Sequence, residues 1–472
     1  MNEKELALTP AIKLRDLIQS KEISPVEITK IYLDRIDKFD GPLNSYITVT
    51  ADSALESAKF AEDQLMKGND LGLLHGIPIS IKDTQMTKGV KTTSGTLIYK
   101  DRIAEADATI VDKVKKAGAI ILGKTNTPEL GLVGTCINKL GDQGRNPWDI
   151  TRTPGGSSGG AAAAVAAGLC SMATGSDGGG SIRIPSNFCG IFGIKPTQGR
   201  VSAYNGSMSK SHNMFSQNGP LTRTVEDSAL LLNVMAGPDE KDPITYMLPP
   251  IDFKTILSKD VRGLKIAWSP DYGFASVEPE VLDVNYRAAL HLETLGCTVE
   301  EPKLNLYPPY DKYGAIITSD FYNSYGQYLD SHREDMTDFC RFFIERGSRV
   351  TTKEYAETLG YIDALKGKMA QFFQSYDLLV SPTACFPAFT DIDLEDNFTD
   401  ESDFPLHYFN GAFTMQGNLI GYPAASIPVG YTSNGLPVGL HVNAPKNKEE
   451  LILSLALKFQ ETKPWIKSYL SI

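Results

Sequence analysis

The sequence predicts an α/β protein built on a mixed or parallel sheet, and three stretches carry that prediction. In residues 76–83, Ile77, Ile79 and Ile81 alternate with Pro78, Ser80 and Lys82, the period-two pattern of a strand. Residues 107–118 have a helical pattern and run straight into the short apolar segment 119–122, a helix followed by a strand. Residues 264–268, then a helix with Val281, Val284, Ala288, Leu292 and Leu295 on one side, then residues 297–299, read as a β-α-β unit.

The chain has 472 residues, 42% hydrophobic and 22% charged, an ordinary balance for a soluble globular protein, and 41 glycines with 27 prolines imply many tight turns. A net charge of −11 argues against a nucleic-acid partner, because that affinity rests on clustered Lys and Arg. The charged start Met1-Asn2-Glu3-Lys4-Glu5 precedes no apolar run of the kind a secretory signal needs. The longest run of small apolar residues, 161–173, is broken by Gly168 and falls short of the roughly 20 residues that cross a bilayer. A cytoplasmic location, without membrane association, is the expectation. The six cysteines are scattered with no C-x-x-C, which signals neither a disulfide framework nor a zinc site.

Along the chain, Thr9-Pro10 reads as an N-cap followed by proline at the first helical position, with Leu14, Leu17 and Ile18 as the buried stripe. Ser24-Pro25-Val26-Glu27 repeats the device as a capping box, and a third helix is expected from about 52 to 67, ending at Gly68. Residues 123–129 read as a loop. The span Gly118 to Thr125 matches G-x-x-x-x-G-K-T formally, but its centre is a hydrophobic strand and cannot open around phosphates, so the match is accidental. Residues 219–224 lead into a helix through Ala236, and residues 307–375 are aromatic-rich and helical in pattern. Residues 377–380 form a buried strand, and strands at 424–429 and 437–442 are joined by the turn Ser433-Asn434-Gly435. No linker divides the chain, so residues 1–472 are expected as one domain. It comprises a helical region (about 1–68), a central part (about 70–235) and a C-terminal part (about 236–472) completing the sheet and a pocket.

The chemistry concentrates between Thr153 and Thr197. Pro154-Gly155-Gly156-Ser157-Ser158-Gly159-Gly160 and Gly175-Ser176-Asp177-Gly178-Gly179-Gly180-Ser181-Ile182-Arg183 flank the helix former Ala161-Ala162-Ala163-Ala164-Val165-Ala166-Ala167. Runs of glycine let backbone N–H groups approach an anion. Three readings compete. Gly155 to Gly159 matches the G-x-S-x-G elbow, with Ser157 as nucleophile, but no strand precedes it and no histidine sits in a recognisable Asp–His setting. A structural reading has the glycines merely letting a helix cross a sheet. A third uses Lys82, Ser157 and Ser181 together; for Lys82 alone, a strand-end lysine in water is the plain alternative.

Lys82 in GIPISIKD, Ser157 in PGGSSGG and Ser181 in GSDGGGSIRIP resemble the amidase signature family, as do GKTNTPEL, RNPWD, FCGIFGIKPTQGRVS and GPLTRTVEDSALLL. The resemblance implies a single large mixed, twisted sheet covered by helices on both faces, and amide hydrolysis without metal or organic cofactor. It implies Ser181 as nucleophile, Ser157 as proton relay in a cis peptide and Lys82 as base, with the amides of Gly178, Gly179, Gly180 and Ser181 as oxyanion hole. Ser158, Asp177 and Arg183 are implied to hold the loops. Gly178 departs from the bulkier residue many members carry, which bears on substrate size.

A small amide, carbamate or oligoamide is the expected substrate, with a homodimer as a candidate assembly. The alternative within the family is the glutaminase half, the so-called A component, of a tRNA-dependent amidotransferase, whose members usually have Gln where Ile184 stands. A homologue with a dead site is a further alternative, disfavoured by the intact triad. Phe321, Tyr322, Tyr325, Tyr408, Phe409 and Phe413 are candidates for an apolar acyl pocket, with core packing as the competing reading; Cys385 stands in the same position.

Overall fold

The computed structural model describes residues 1–206, 215–249, 252, 257, 259–390 and 411–465. Among them, eleven strands form one mixed sheet. They are β1 (Tyr46–Val49), β2 (Pro78–Lys82), β3 (Ile120–Thr125), β4 (Met172–Asp177), β5 (Phe192–Lys195), β6 (Gln217–Thr222), β7 (Lys265–Trp268), β8 (Thr298–Glu300), β9 (Leu378–Pro382), β10 (Ala424–Tyr431) and β11 (Pro437–Asn443). Their order is β1-β3-β2-β4-β6-β5-β10-β11-β9-β7-β8. β2 runs parallel to β3 and β4, and β7 parallel to β8 and β9, while the strands between these two groups pair antiparallel. β2, β5, β9 and β11 are buried along their whole length, so both faces of the sheet are covered.

The helix–strand unit at 107–122 forms as expected, with a helix at Thr109–Lys116 and then β3, and the β-α-β unit is β7, the helix Pro279–Thr294 and β8. The pair at 424–442 is the antiparallel β10–β11 hairpin. Residues 123–125, expected in a loop, instead extend β3, because Lys82 pairs with Thr125 across the parallel ladder. That ladder carries strand geometry past the apolar run, through Gly123 and Lys124 to Thr125. β1, β4, β5 and β6 leave no clear period in the sequence: glycine and proline occupy β4 and β6, and neighbours on both sides hold them.

Helix starts divide in the same way. Ser24 caps the helix Pro25–Phe39 as expected, its hydroxyl accepting from Glu27 N–H at 3.0 Å. Thr9 does not cap the helix Ala11–Gln19. Asp227, far along the chain, takes that place, its two oxygens accepting from the N–H groups of Ala11 and Ile12 at 2.9 Å each.

The helix between the serine loops spans Gly159–Ala166 and is wholly buried. Its last carbonyls are satisfied by arginines: Arg35 donates to Ala167 and Gly168, and Arg223 to Val165. Gly160 has a reason for its missing side chain. A Cβ there would stand 2.4 Å from the N atom of Asn126 and 2.5 Å from Ser45 O, so only glycine lets this helix lie so close to the end of β3.

Candidate active site

Lys82 closes β2, between β3 and β4, and is fully buried. Its Nζ meets three hydroxyls: Ser157 Oγ at 2.7 Å, Ser158 Oγ at 3.0 Å and Ser176 Oγ at 3.0 Å. The solvent-exposed alternative for this lysine is thereby overturned. Burial pulls Lys82 down from the ordinary lysine value to about 7, against the opposing pull of the Asp177 carboxylate. Ser158 donates its own proton to Ser176 O at 3.2 Å, so toward Lys82 it can only accept. A neutral amine has two hydrogens and one lone pair, which leaves the lone pair for Ser157 or Ser176.

Ser157 begins the turn into the Gly159–Ala166 helix, and the Gly156–Ser157 peptide is cis. Ser158 N–H donates to Ser181 O at 3.1 Å, which ties the first serine loop to the second. The second loop leaves β4 at Asp177, whose carboxylate organises it. Asp177 Oδ1 accepts from Gly180 N–H at 2.8 Å and Oδ2 from Ile182 N–H at 3.1 Å. The guanidinium of Arg183, itself fully buried, closes on both oxygens. Burial alone would raise the Asp177 carboxyl; the charge and hydrogen bonds of Arg183, with the Lys195 charge and the Asn418 amide, together outweigh it and hold the group well below the usual range. Arg183 in turn donates to Thr414 O and pairs with His441 Nε2, each at 2.9 Å. Burial, reinforced by the Arg183 charge, pushes the His441 imidazole well below its ordinary value, and a neutral ring nitrogen is what can accept from Arg183.

Ser157, Ser176, Gly178, Gly179 and Ser181 open together on a cavity of about 610 Å³. Among the described residues, no acceptor pairs with the N–H of Gly178, Gly179 or Ser181, and all three residues line the one cavity. Gly180 does not belong with them. Its N–H is spent on Asp177, and the residue does not line the cavity. Leu130, Leu132, Val133, Tyr313, Ile317, Phe321 and Tyr325 make an apolar wall, and Gln85, Asn205, Gln217 and Asn218 a polar one.

Of the expected pocket aromatics, Phe321 and Tyr325 line the cavity. Phe413 does not; it is fully buried in the core with its ring 4.9 Å from that of Tyr272. Tyr322 points outward, and Tyr408 and Phe409 lie outside the described residues. Cys385 is half-buried and away from the cavity lining. The elbow reading finds no support: no strand lies between β3 and β4, and of the described histidines, His75, His291, His332 and His441, none lines the cavity. Among the described residues there is also no cluster fit to hold a metal ion, and no helix long and apolar enough to cross a membrane.

Sequence reasoning missed Ser176, Tyr313, Thr414, Asn418 and His441. Ser176 stands inside the glycine motif, where its hydroxyl was a visible candidate. The other four come from the C-terminal half, where nothing local marks them.

A buried lysine in contact with the Ser157 hydroxyl, beside unpaired loop amides on a mixed sheet, is the arrangement that the resemblance to amide hydrolases implies. The family model described as Amidase matches residues 27–453. The chain is 35% identical to an acylamidase of Rhodococcus erythropolis over 471 residues, 98% of each chain. It is 37% identical to the A component of the glutamyl-tRNA(Gln) amidotransferase of Carboxydothermus hydrogenoformans over 495 residues, covering 98% of this chain and 99% of that one. A solved bacterial aryl acylamidase of the amidase signature family superposes with a TM-score of 0.90 at 29% identity, over 98% of each chain. This chain belongs to the amidase family, hydrolases acting on amide carbon–nitrogen bonds.

Proposed function

We propose that this protein is a free-standing amidase that cleaves a small amide through an acyl-enzyme on Ser181. The observation that carries the reading is the contact between Lys82 Nζ and Ser157 Oγ at 2.7 Å, with the lysine sealed from water and Ser157 open to the same cavity as Ser181. The neutral amine takes the Ser157 proton as Ser157 takes that of Ser181, whose Oγ attacks the amide carbon. The carbonyl oxygen becomes an oxyanion facing the amides of Gly178, Gly179 and Ser181. The C–N bond breaks, and the relay returns the proton to the departing nitrogen. A water molecule then gives its proton to the same relay and attacks the acyl carbon; the Ser181 Oγ–C bond breaks, the relay returns that proton to Ser181, and the acid is released.

The apolar wall around Phe321 and Tyr325 suits an aryl or alkyl group on the substrate. The match to an acylamidase over 98% of each chain supports hydrolysis of an amide. A second reading, the glutaminase component of an amidotransferase, is favoured by the 37% identity to such a protein.

The test is release of amine or ammonia by the purified chain over aliphatic, aryl and carbamate substrates and glutamine, beside the Ser181→Ala protein. Turnover of aryl or alkyl amides, lost in the variant, is the expected result. Cleavage of glutamine alone would establish the amidotransferase reading, and turnover surviving in Ser181→Ala would overturn both.

A further inference from the structure

The peptide that joins Gly179 to Gly180 is held at both ends. Its N–H donates to Asp177 Oδ1 at 2.8 Å, and its carbonyl accepts from Thr414 Oγ1 at 2.6 Å. Thr414 arrives from the far end of the chain, immediately before the short helix Met415–Leu419, and is fully buried. Its surroundings are fixed in turn: Arg183 Nη1 donates to Thr414 O at 2.9 Å, and Asn418 Nδ2 donates to Asp177 O at 2.7 Å. The hydroxyl is also packed against the loop. Gly180 has φ of +136°, and a Cβ on it would stand 2.4 Å from Thr414 Oγ1.

A peptide plane between two glycines is the easiest kind to rotate, because neither neighbour has a Cβ to resist. Here the two residues whose amides flank that plane, Gly179 and Ser181, both line the cavity, as does Gly178. Fixing the central plane therefore sets the direction of both.

We propose that Thr414 is a positioning residue for amide hydrolysis, its hydroxyl locking the Gly179–Gly180 peptide so that the Gly179 and Ser181 amides converge where the oxyanion forms. Thr414 does not line the cavity and acts only through the loop. The inference rests on the acyl-enzyme reading above. Because aligned donors act on charge that develops in the transition state, loosening them lowers kcat and leaves KM nearly alone.

The test compares Thr414→Val, which keeps the shape and removes the donor, with Thr414→Ser, which keeps the donor and removes a methyl. Three quantities are measured: kcat and KM on an amide the wild type cleaves, affinity for a boronic acid that forms a tetrahedral adduct with a serine hydroxyl, and the melting temperature. Thr414→Val is expected to lose about 10–100-fold in kcat with KM within about twofold, and boronic-acid affinity should fall by the same factor. Thr414→Ser should stay within about threefold of wild type in both. The proposal is overturned if Thr414→Val keeps its boronic-acid affinity, or if Thr414→Ser loses as much as Thr414→Val, which would point to methyl packing. It is also overturned if kcat falls only as far as the protein unfolds at the assay temperature. Failure of the hydrolase reading looks different: the wild type itself would release no amine and bind no boronic acid.

Discussion

Asp177 and Arg183 meet through two parallel contacts, Nε to Oδ2 at 2.9 Å and Nη2 to Oδ1 at 2.8 Å, and neither side chain reaches solvent. A pair of this kind contributes little net stability as a pair, yet removing one partner strands a buried charge. Arg183→Met should therefore lower the unfolding free energy by about 3–5 kcal/mol, measured by urea denaturation near neutral pH. The loss should shrink in acid. The Asp177 carboxyl lies below its ordinary value of 3.8 in the folded chain, so its stabilising contribution is present above that pH and fades as pH falls through the folded value.

The pH profile follows from Lys82. Its folded value of about 7 lies below the ordinary 10.5, and in the proposed mechanism the unprotonated amine is the base. kcat/KM should rise with pH through about 7 and level off above it. Between about 7 and 10.5 the unfolded chain holds a proton on this group that the folded chain lacks, so stability from this residue rises with pH over that window. Lys82→Met should lower turnover by roughly 10³-fold or more and abolish the rise at neutral pH.

Phe413 and Phe321 separate packing from specificity. Phe413→Ala opens a hole in the core and should cost about 3–5 kcal/mol, read by thermal or urea unfolding. Phe321→Ala enlarges the cavity instead, and should shift preference toward bulkier substrates, read as kcat/KM across a series of acyl and aryl sizes.

Gly160→Ala sets two effects against each other. Alanine improves helix propensity by about 1 kcal/mol, while its methyl would press on backbone atoms of Asn126 and Ser45, and overpacking costs about 1–3 kcal/mol. The steric effect should win. A variant less stable than wild type in urea is the expected outcome.

What could be read from the sequence was what is encoded locally. The isoleucine alternation before Lys82, Ser24 with Pro25 and the turn at 433–435 each declare their structure within a few residues. The glycine-flanked serines could be tied to Lys82 only by their resemblance to a family, since nothing in their spacing says they meet. The rest was set by distant partners. Asp227 replaces Thr9 as a cap, the ladder with β2 extends β3 over an expected loop, and Asp177 takes up the Gly180 amide that was expected among the oxyanion donors. Phe413 and Phe321 were indistinguishable as aromatics; only the tertiary packing sends one to the core and the other to the cavity wall.

At Gly156 and Gly160 an added Cβ would press on backbone, that of Thr135 in the first case and of Asn126 and Ser45 in the second. The opposite holds for one side of the helix Tyr310–Tyr325, where Ile317, Phe321 and Tyr325 stand a turn apart along the cavity. In the proposed mechanism the reacting groups and these three side chains thus stand on different elements. A combinatorial library confined to those three positions would explore new substrates while leaving the proton-handling apparatus untouched, which makes that single helix the natural handle for directed evolution of this enzyme.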